Sequence, residues 1–461
     1  MIGYGFGHFY NDLCASMWFT YFMIFLEKVL LFRSSFAGAL MLIGQVADAI
    51  STPIVGIASD KSFIPFFMLR LGRRISWHII GTICVTLSFP FIYNRCLLCD
   101  VISLDWLHFA WYVPFVIIFQ FGWASVQVSH LALIPELSDN ISCRTTMNSL
   151  RYGFTVLANL SVFIILAVLL NTVDTGSGIE PIDLTYFSIT SFIVVSVGIV
   201  SSVIFYITTK ESPRSRNYAR TNSFSSDISE IIRMSWKNWF KQFQFYQIGA
   251  LYMLSRLFIN ISLVYFPFYV TVTQQLTKKF VAILPMISYL SSFVTSVIIS
   301  IPFINRHINR KALYFFGCLI GITNCILMYF HSYRISIFII AIALGLAQAI
   351  LLVTSLAITA ELINKNTESG AFVYGAMSFG DKLTNGIALQ VIELFNPQCS
   401  GPEACSKFYK NIMIFVPGTC IIFAIIVLLT LLPQTVGSRH RRRDDVDSEQ
   451  ADLIINNSMT D

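Results

Sequence analysis

The stretch from Gly44 to Lys61 reads GQVADAISTPIVGIASDK, an apolar run that buries one acid deep inside and closes on a charged end. On a helix rising about 1.5 Å per residue, the step from Asp48 to Asp60 covers roughly 18 Å, so Asp48 falls inside a bilayer when Asp60 stands at its edge. An ionised Asp at the centre of a membrane helix costs about 2.5–3.5 kcal/mol on insertion scales, and is tolerated where it finds a partner, a proton or a wet cavity. Asp48 is therefore a candidate site residue.

The rest of the chain has the composition that such a helix needs. Of 461 residues, 55% are hydrophobic and only 12% charged, which excludes a set of soluble domains and points to a polytopic membrane protein. Twelve apolar runs are read at 13–31, 37–58, 75–93, 108–134, 149–170, 184–208, 244–271, 281–303, 312–330, 335–358, 370–394 and 410–432, each near the roughly 20 residues of one crossing. The expected fold is all-α, with twelve transmembrane helices in two six-helix bundles related by pseudo-symmetry. The first run is too long for a cleaved leader and no small-residue cleavage site follows it. With an even number of crossings, about 21 Lys and Arg fall on the side of the chain ends and about 7 on the other, so both termini are expected in the cytosol. The basic excess, formally +6, is spread over short loops, which excludes a nucleic-acid-binding face. No nucleophile with a base at working distance and no nucleotide-binding loop is present, which argues against an enzyme; no cofactor or metal is expected.

Several polar side chains interrupt the runs. Asn11, Asp12 and Trp18 lie in GFGHFYNDLCASMW, where Asp12 is either a helix-start acid favoured by the dipole or a cavity group. Glu27 and Lys28, near the far end of that helix, read as an interfacial pair that snorkels to water. The fourth run carries Gln120, Trp123, Gln127 and His130; Gln120 and Gln127 flank Trp123 by about one turn each, a face able to stack and hydrogen-bond a solute, or to bond a neighbouring helix. Arg256 stands alone in the seventh run and can hold a carboxylate by two bonds, or pair with an acid of the protein. In the eleventh, Asp381 and Lys382 are adjacent and so point about 100° apart. Lys382 can reach across to Asp48, as a switchable or as a static pair.

Gly56, Asp60 and Lys61, followed by Gly72, Arg73 and Arg74, form a pattern that resembles the loop signature of the major facilitator superfamily. Asp60 at a helix end with Arg73 and Arg74 nearby reads as a charge latch that gates one face. The segment LIPELSDNISCRTTMNSLRYGF resembles the glycoside-pentoside-hexuronide cation symporters of that superfamily through Pro135, Glu136, Leu137, Arg144, Thr145, Ser149 and Arg151. In that family the second helix reads Asp-x-x-x-Asp-Pro; here Asp48 and Pro53 match, and Thr52 replaces the second acid. Loss of that carboxylate weakens a sodium site and leaves coupling to protons as the expectation. The resemblance also implies Asp12, Arg151 and Lys382 as central-cavity groups. The runs NDLCASMWFTYF, GQVADAISTPIVG, SFPFIY, PFVIIFQFGWAS and SHLALIPEL resemble most closely a lysosomal and melanosomal branch of the superfamily. That resemblance implies cysteine as the small-molecule substrate, imported from the cytosol into the organelle lumen.

Four cysteines lie in loops on the non-cytosolic side. They allow three pairings, of which one bridge within each loop, Cys96 with Cys99 and Cys399 with Cys405, is favoured because a bridge between the halves would block their relative motion; a zinc site is the weaker reading, since no His sits at ligand spacing. The expected domains are 1–208 and 244–432 for the two bundles, a cytosolic linker over 209–243 with an amphipathic helix toward its end, and a cytosolic tail over 433–461. The tail opens on the basic cluster SRHRRRDD. It continues to Glu449, Leu453 and Ile454, which resemble an acidic dileucine signal read by sorting adaptors for endosomes and lysosomes. A sugar symporter and a non-transporting membrane receptor are the alternative functions.

Overall fold

A computed structural model of the chain describes residues 2–60, 71–99, 105–138, 141–171, 178–211, 236–301, 309–330, 337–363, 370–397 and 402–436. Among the described residues there are twelve long helices and no strand. In chain order they are α1 (Ile2–Ile24), α2 (Ser34–Asp60), α3 (Arg73–Ile92), α4 (Asp105–Leu137), α5 (Ile141–Asn171), α6 (Leu184–Thr208), α7 (Phe243–Phe268), α8 (Phe280–Ser300), α9 (Arg310–Tyr329), α10 (Ile337–Ile363), α11 (Gly370–Leu394) and α12 (Pro402–Leu431). The twelve apolar runs each fall on one of them. In the linker, a short helix spans Trp236–Trp239, and the part between 212 and 235 lies outside the described residues, as does the tail beyond 436 with Glu449, Leu453 and Ile454.

Ten of the twelve are long and apolar enough to cross a membrane by composition alone; α1 and α11 are not among them. The first run was expected to start near residue 13, yet α1 begins at Ile2 and buries Tyr4, His8, Asn11 and Asp12. Its polar residues point into the protein rather than into lipid, so the helix continues where a hydropathy reading stops.

The packing obeys a simple rule: adding six to each helix number converts the first half into the second. In the first half α1 packs on α5 and α6, α2 on α4, α3 on α4 and α6; in the second α7 packs on α11 and α12, α8 on α10, α9 on α10 and α12. Between the halves α2 meets α11 and α5 meets α8, again exchanged by the same rule, and α1 meets α7 across the centre. The symmetry reaches the backbone. Both α1 and α7 end in a π turn, Phe25–Val29 and Tyr269–Thr273. Each is closed by the same two bonds, Leu30 N–H to Phe25 O and Phe32 N–H to Leu26 O in one, Gln274 N–H to Tyr269 O and Leu276 N–H to Val270 O in the other. Leu31 and Gln275, at matching places, are the described non-glycine residues with positive φ, at 57° and 51°. A left-handed, non-glycine residue costs free energy, so its presence at both places marks a structural requirement of the repeat.

Within each half the helices touch through small residues. A Cβ on Gly81 of α3 would lie 2.7 Å from the carbonyl oxygen of Gly122, and one on Gly122 of α4 would lie 2.7 Å from that of Gly81. Two backbones meet there with no room for a side chain, the usual device where lipid supplies no hydrophobic drive for helix pairing. Gly122→Val must part α3 from α4 and is expected to cost at least about 1–3 kcal/mol. A lower Tm of the purified protein, with Gly153→Ala unchanged because nothing lies within 4 Å of that position, checks this.

Candidate functional site

Midway along α2, Asp48 is buried, with its side chain 3% exposed. Its Oδ2 lies 2.7 Å from Nζ of Lys382 on α11. Lys382 also donates to Thr52 Oγ1 at 3.0 Å, and Thr52 donates to the Asp48 carbonyl at 2.8 Å and to its Oδ1 at 3.2 Å. The i, i+4 spacing puts Asp48 and Thr52 on one face of α2. The ammonium stands 5.8 Å from the ring centre of Trp123, within cation–π reach. Opposite charges from the two halves thus meet at the middle of the bundle.

The neighbour of Lys382 serves a second pair. Asp381 Oδ2 accepts from Arg256 Nε at 3.0 Å, and its Oδ1 accepts from Asn385 Nδ2 at 2.6 Å. The Asp381 side chain is 4% exposed and that of Arg256 29% exposed. Arg256 therefore spends one edge of its guanidinium on the protein and keeps the remainder open.

In the first half, Asp12 Oδ2 accepts from Thr155 Oγ1 at 2.7 Å and faces His8 Nδ1 at 2.8 Å. His8 Nε2 is buried without a partner among the described residues, as are both ends of the Asn11 amide. Trp123 Nε1 donates to the carbonyl of Asn11 at 3.4 Å, which ties this group to the Lys382 cluster. Tyr289 of α8 lies within the electrostatic range of both Arg256 and Asp12, which closes the circle across the halves.

Other expected site residues sit elsewhere. Arg151 makes no contact with Asp48 or Lys382; it lies below Thr155, near Tyr4 and His130, with Nη1 buried and unpartnered among the described residues. Trp18 is buried in the core, stacked on Phe22 at 4.3 Å, against Phe119 and packed over Gly44. Gln127 is half-buried. His130 stacks on Tyr4 at 4.0 Å and its Nε2 bonds to the Tyr4 carbonyl, a packing role. Two apolar grooves of about 380 and 320 Å³, along α5 and between α9 and α12, hold none of these charges.

At the face of the chain ends, Arg73 Nη2 and Arg74 Nε reach Glu136 Oε1 at 2.7 and 3.4 Å. Arg74 Nη1 donates to Ser59 Oγ at 2.8 Å. Glu211 Oε2 accepts from the backbone N–H groups of Arg74 and Ile75 at 2.8 and 3.2 Å, neutralising the positive start of α3. Gly72 has φ +98° and would drive a Cβ into Glu211. The side chain of Asp60 lies outside the described residues; Glu136 is the acid seen with Arg73 and Arg74. The second half repeats the arrangement, with Arg310 Nη1 at 2.9 Å from Glu361 Oε1.

Two expectations for the far face change. Glu27 and Lys28 do not snorkel together: Glu27 is 8% exposed and bonded within the protein, while Lys28 Nζ stands over the Tyr409 ring at 5.7 Å. Cys96 and Cys99 form a disulfide. His108, nine residues on from Cys99, lies beside them, its ring nitrogen and both sulfurs within 4.8 Å, so a His accompanies the pair after all. Cys405 is also disulfide-bonded; Cys399 lies outside the described residues.

Residues 3–395 match the family model described as MFS/sugar transport protein. The sequence is 40% identical over 461 residues to human (Homo sapiens) "Major facilitator superfamily domain-containing protein 12", covering 96% of this chain and 95% of that protein. The fold is similar to the xylose transporter XylE from E. coli in an inward open conformation, at 12% identity over 97% of this chain and 98% of that one, TM-score 0.64. It is similar also to a D-xylose-proton symporter, at 15% identity over 95% and 97%, TM-score 0.65.

Lys382→Ala strands a buried carboxylate and is expected to cost about 3–5 kcal/mol, whereas Asp48→Asn with Lys382→Met removes both charges and costs much less; thermal unfolding of both variants checks the order. Outside the membrane span, burial pushes the Glu136 carboxyl up, but the Arg73 bond and charge, with help from Arg74, outweigh it and leave it below the ordinary value of 4.5. Its stabilising contribution is then complete above that value and is lost as pH falls through the lower folded value. The Tm deficit of Glu136→Gln is expected to be largest near neutral pH and to shrink below about pH 4.5.

Proposed function

The chain belongs to the MFS/sugar transport protein family, and on that premise we propose that it carries cysteine from the cytosol into the lumen of lysosomes and melanosomes by alternating access. The observation that carries this reading is the meeting of both signs of charge at mid-depth, Asp48 with Lys382 and Asp381 with Arg256. A small zwitterion leaving water needs a cation for its carboxylate and an acceptor for its ammonium. The open edge of Arg256 suits the first, by the two-bond geometry of a guanidinium. Asp48, once Lys382 is displaced, suits the second, with Asp12 beside it across Trp123. Thr52 and Gln127 supply neutral hydrogen-bonding groups, and Arg151 offers a further cation on the way in. The two halves rock about this site, and the Arg73–Arg74–Glu136 latch, with Asp60 at the helix end, steadies the cytosolic face. The tail residues Glu449, Leu453 and Ile454 engage sorting adaptors that deliver the protein to the organelle, with both termini in the cytosol.

Coupling to protons is the natural drive, because a proton on Asp48 cancels the carboxylate charge and frees the Lys382 ammonium for another partner such as the cargo carboxylate. Asp12 with His8 is a second place where a proton can be held or passed. A sugar as cargo is favoured by one observation, the Trp123 ring beside Gln127 and Asn11, an aromatic floor with amide groups.

Uptake of labelled cysteine into vesicles containing the purified protein decides between the two. Cysteine is expected to accumulate, with no competition from a panel of pentoses and hexoses, and Arg256→Lys is expected to raise KM more than tenfold. Cysteine that stays outside while a sugar enters would overturn the assignment. Full activity of Asp48→Asn with a flat pH profile would remove Asp48 from the coupling step.

A further inference from the structure

The polar contacts between the two halves are unevenly placed. Among the described residues they run from Lys382–Asp48 and Lys382–Thr52 at mid-depth to the face opposite the chain ends, through Gln390 Nε2 to Ser35 O at 3.4 Å, Lys278 to Asp183 at 2.8 Å, and a cluster on Glu27. The far gate is thus shut in this structure.

The centre of that gate is a pair of acids from opposite halves. Glu27 sits in the π turn after α1, and Glu393, 1% exposed, near the end of α11. Their carboxyl groups share one donor, the Asn396 amide nitrogen, which lies 2.8 Å from Glu393 Oε2 and 3.4 Å from Glu27 Oε1. The other oxygen of each acid accepts from a phenol, Tyr409 OH to Glu27 Oε2 at 2.6 Å and Tyr265 OH to Glu393 Oε1 at 2.5 Å. Two buried carboxyls that share one donor repel each other when both are ionised, and holding one proton between them removes that repulsion. The surrounding groups favour a proton over a metal ion. Both phenols and the Asn396 amide nitrogen point hydrogens at the carboxyls, whereas a cation would need oxygen lone pairs turned toward it. Of the cations on the packed elements, Lys28 stands over the face of Tyr409 and Lys278 is held by Asp183. From α2 the facing groups are Ser34 and Ser35 and the backbone at Gly38, which would place a Cβ 2.9 Å from that of Glu393.

We propose that Glu27 and Glu393 form a proton-binding site that locks the far gate, shut when the pair holds one proton and released when both acids ionise. The lock joins the halves only while they are in contact, so loss of its proton puts two negative charges face to face across the interface and drives the ends apart. Acid on the far side then favours the state in which the cargo passage opens toward the chain ends. This goes beyond the transport reading and does not depend on which solute is carried.

The test measures the gate itself. Spin labels carried by keto amino acids at positions 33 and 403, both exposed on the far face, report the distance between the halves in the full-length protein in lipid nanodiscs, without substrate. The short-distance population is expected to dominate at pH 5 and to fall severalfold by pH 8. Glu393→Gln, whose amide can donate to Glu27 as the protonated acid does, is expected to keep the short distance at both pH values; Glu27→Gln is a second, independent variant with the same expectation. Populations that do not respond to pH in the wild type, or that respond equally in both variants, overturn the proposal. So does a shift to the short distance produced by sodium at fixed pH 8, which would make the pair a metal site.

Discussion

A charge in the interior of a membrane protein must be matched, and the Lys382–Asp48 pair is where this chain meets that constraint between its two halves. Neither residue can face lipid, so α2 and α11 must present them to each other, and the crossing of those helices follows. Asp381, next in sequence to Lys382, points elsewhere on α11 and is matched by Arg256 of its own half. One helix therefore bonds to both bundles through adjacent residues. Any solute or proton that neutralises one of these charges changes the balance for its partner, which is how a site at the middle can govern contacts at the ends.

The repeat supplies the two surfaces that move. Helix pairings, the π turns, their closing bonds and the left-handed residues Leu31 and Gln275 occur in both halves. The arginine–glutamate contact at the chain-end face does too, as Arg73–Glu136 and Arg310–Glu361. The site does not repeat: Asp12 and His8 belong to the first half, Arg256 and Asp381 to the second. Duplication gives the scaffold its hinge, and divergence between the copies gives the interior its chemistry.

Much of this was legible in the sequence. Long apolar runs marked all twelve helices, because lipid imposes one length and one composition on whatever crosses it. An acid inside such a run marked Asp48, a lone cation marked Arg256, and the adjacent charges Asp381 and Lys382 marked the eleventh helix, for the same reason. The start of α1 was missed because its polar residues face inward, which hydropathy reads as the end of a span. Glu27 was read as an interfacial acid and Glu393 was passed over because each stands near the end of a run, where a charge ordinarily reaches water; only the three-dimensional fold brings one near the other. His8 carried a signal, four residues before Asp12 on one helix face, and Glu136 carried one in the PEL turn. Residues joined across hundreds of positions, such as Glu27 with Tyr409 or Asp48 with Lys382, depend on the topology of the packed bundle.

The distance in sequence between Asp48 and Lys382 bears on how the molecule is made. The ribosome delivers α2 long before α11, and at about 5–20 residues per second the interval is on the order of tens of seconds. Through that time Asp48 has no ammonium beside it, and α1, with its buried histidine, amide and acid, is poorly suited to reside alone among acyl chains. The nascent first half must be sheltered, or keep its carboxyls protonated, until its counterion is synthesised. Newly made protein is thus most exposed to quality control before the last two helices emerge, and truncations or slow codons just upstream of α11 prolong that vulnerable period.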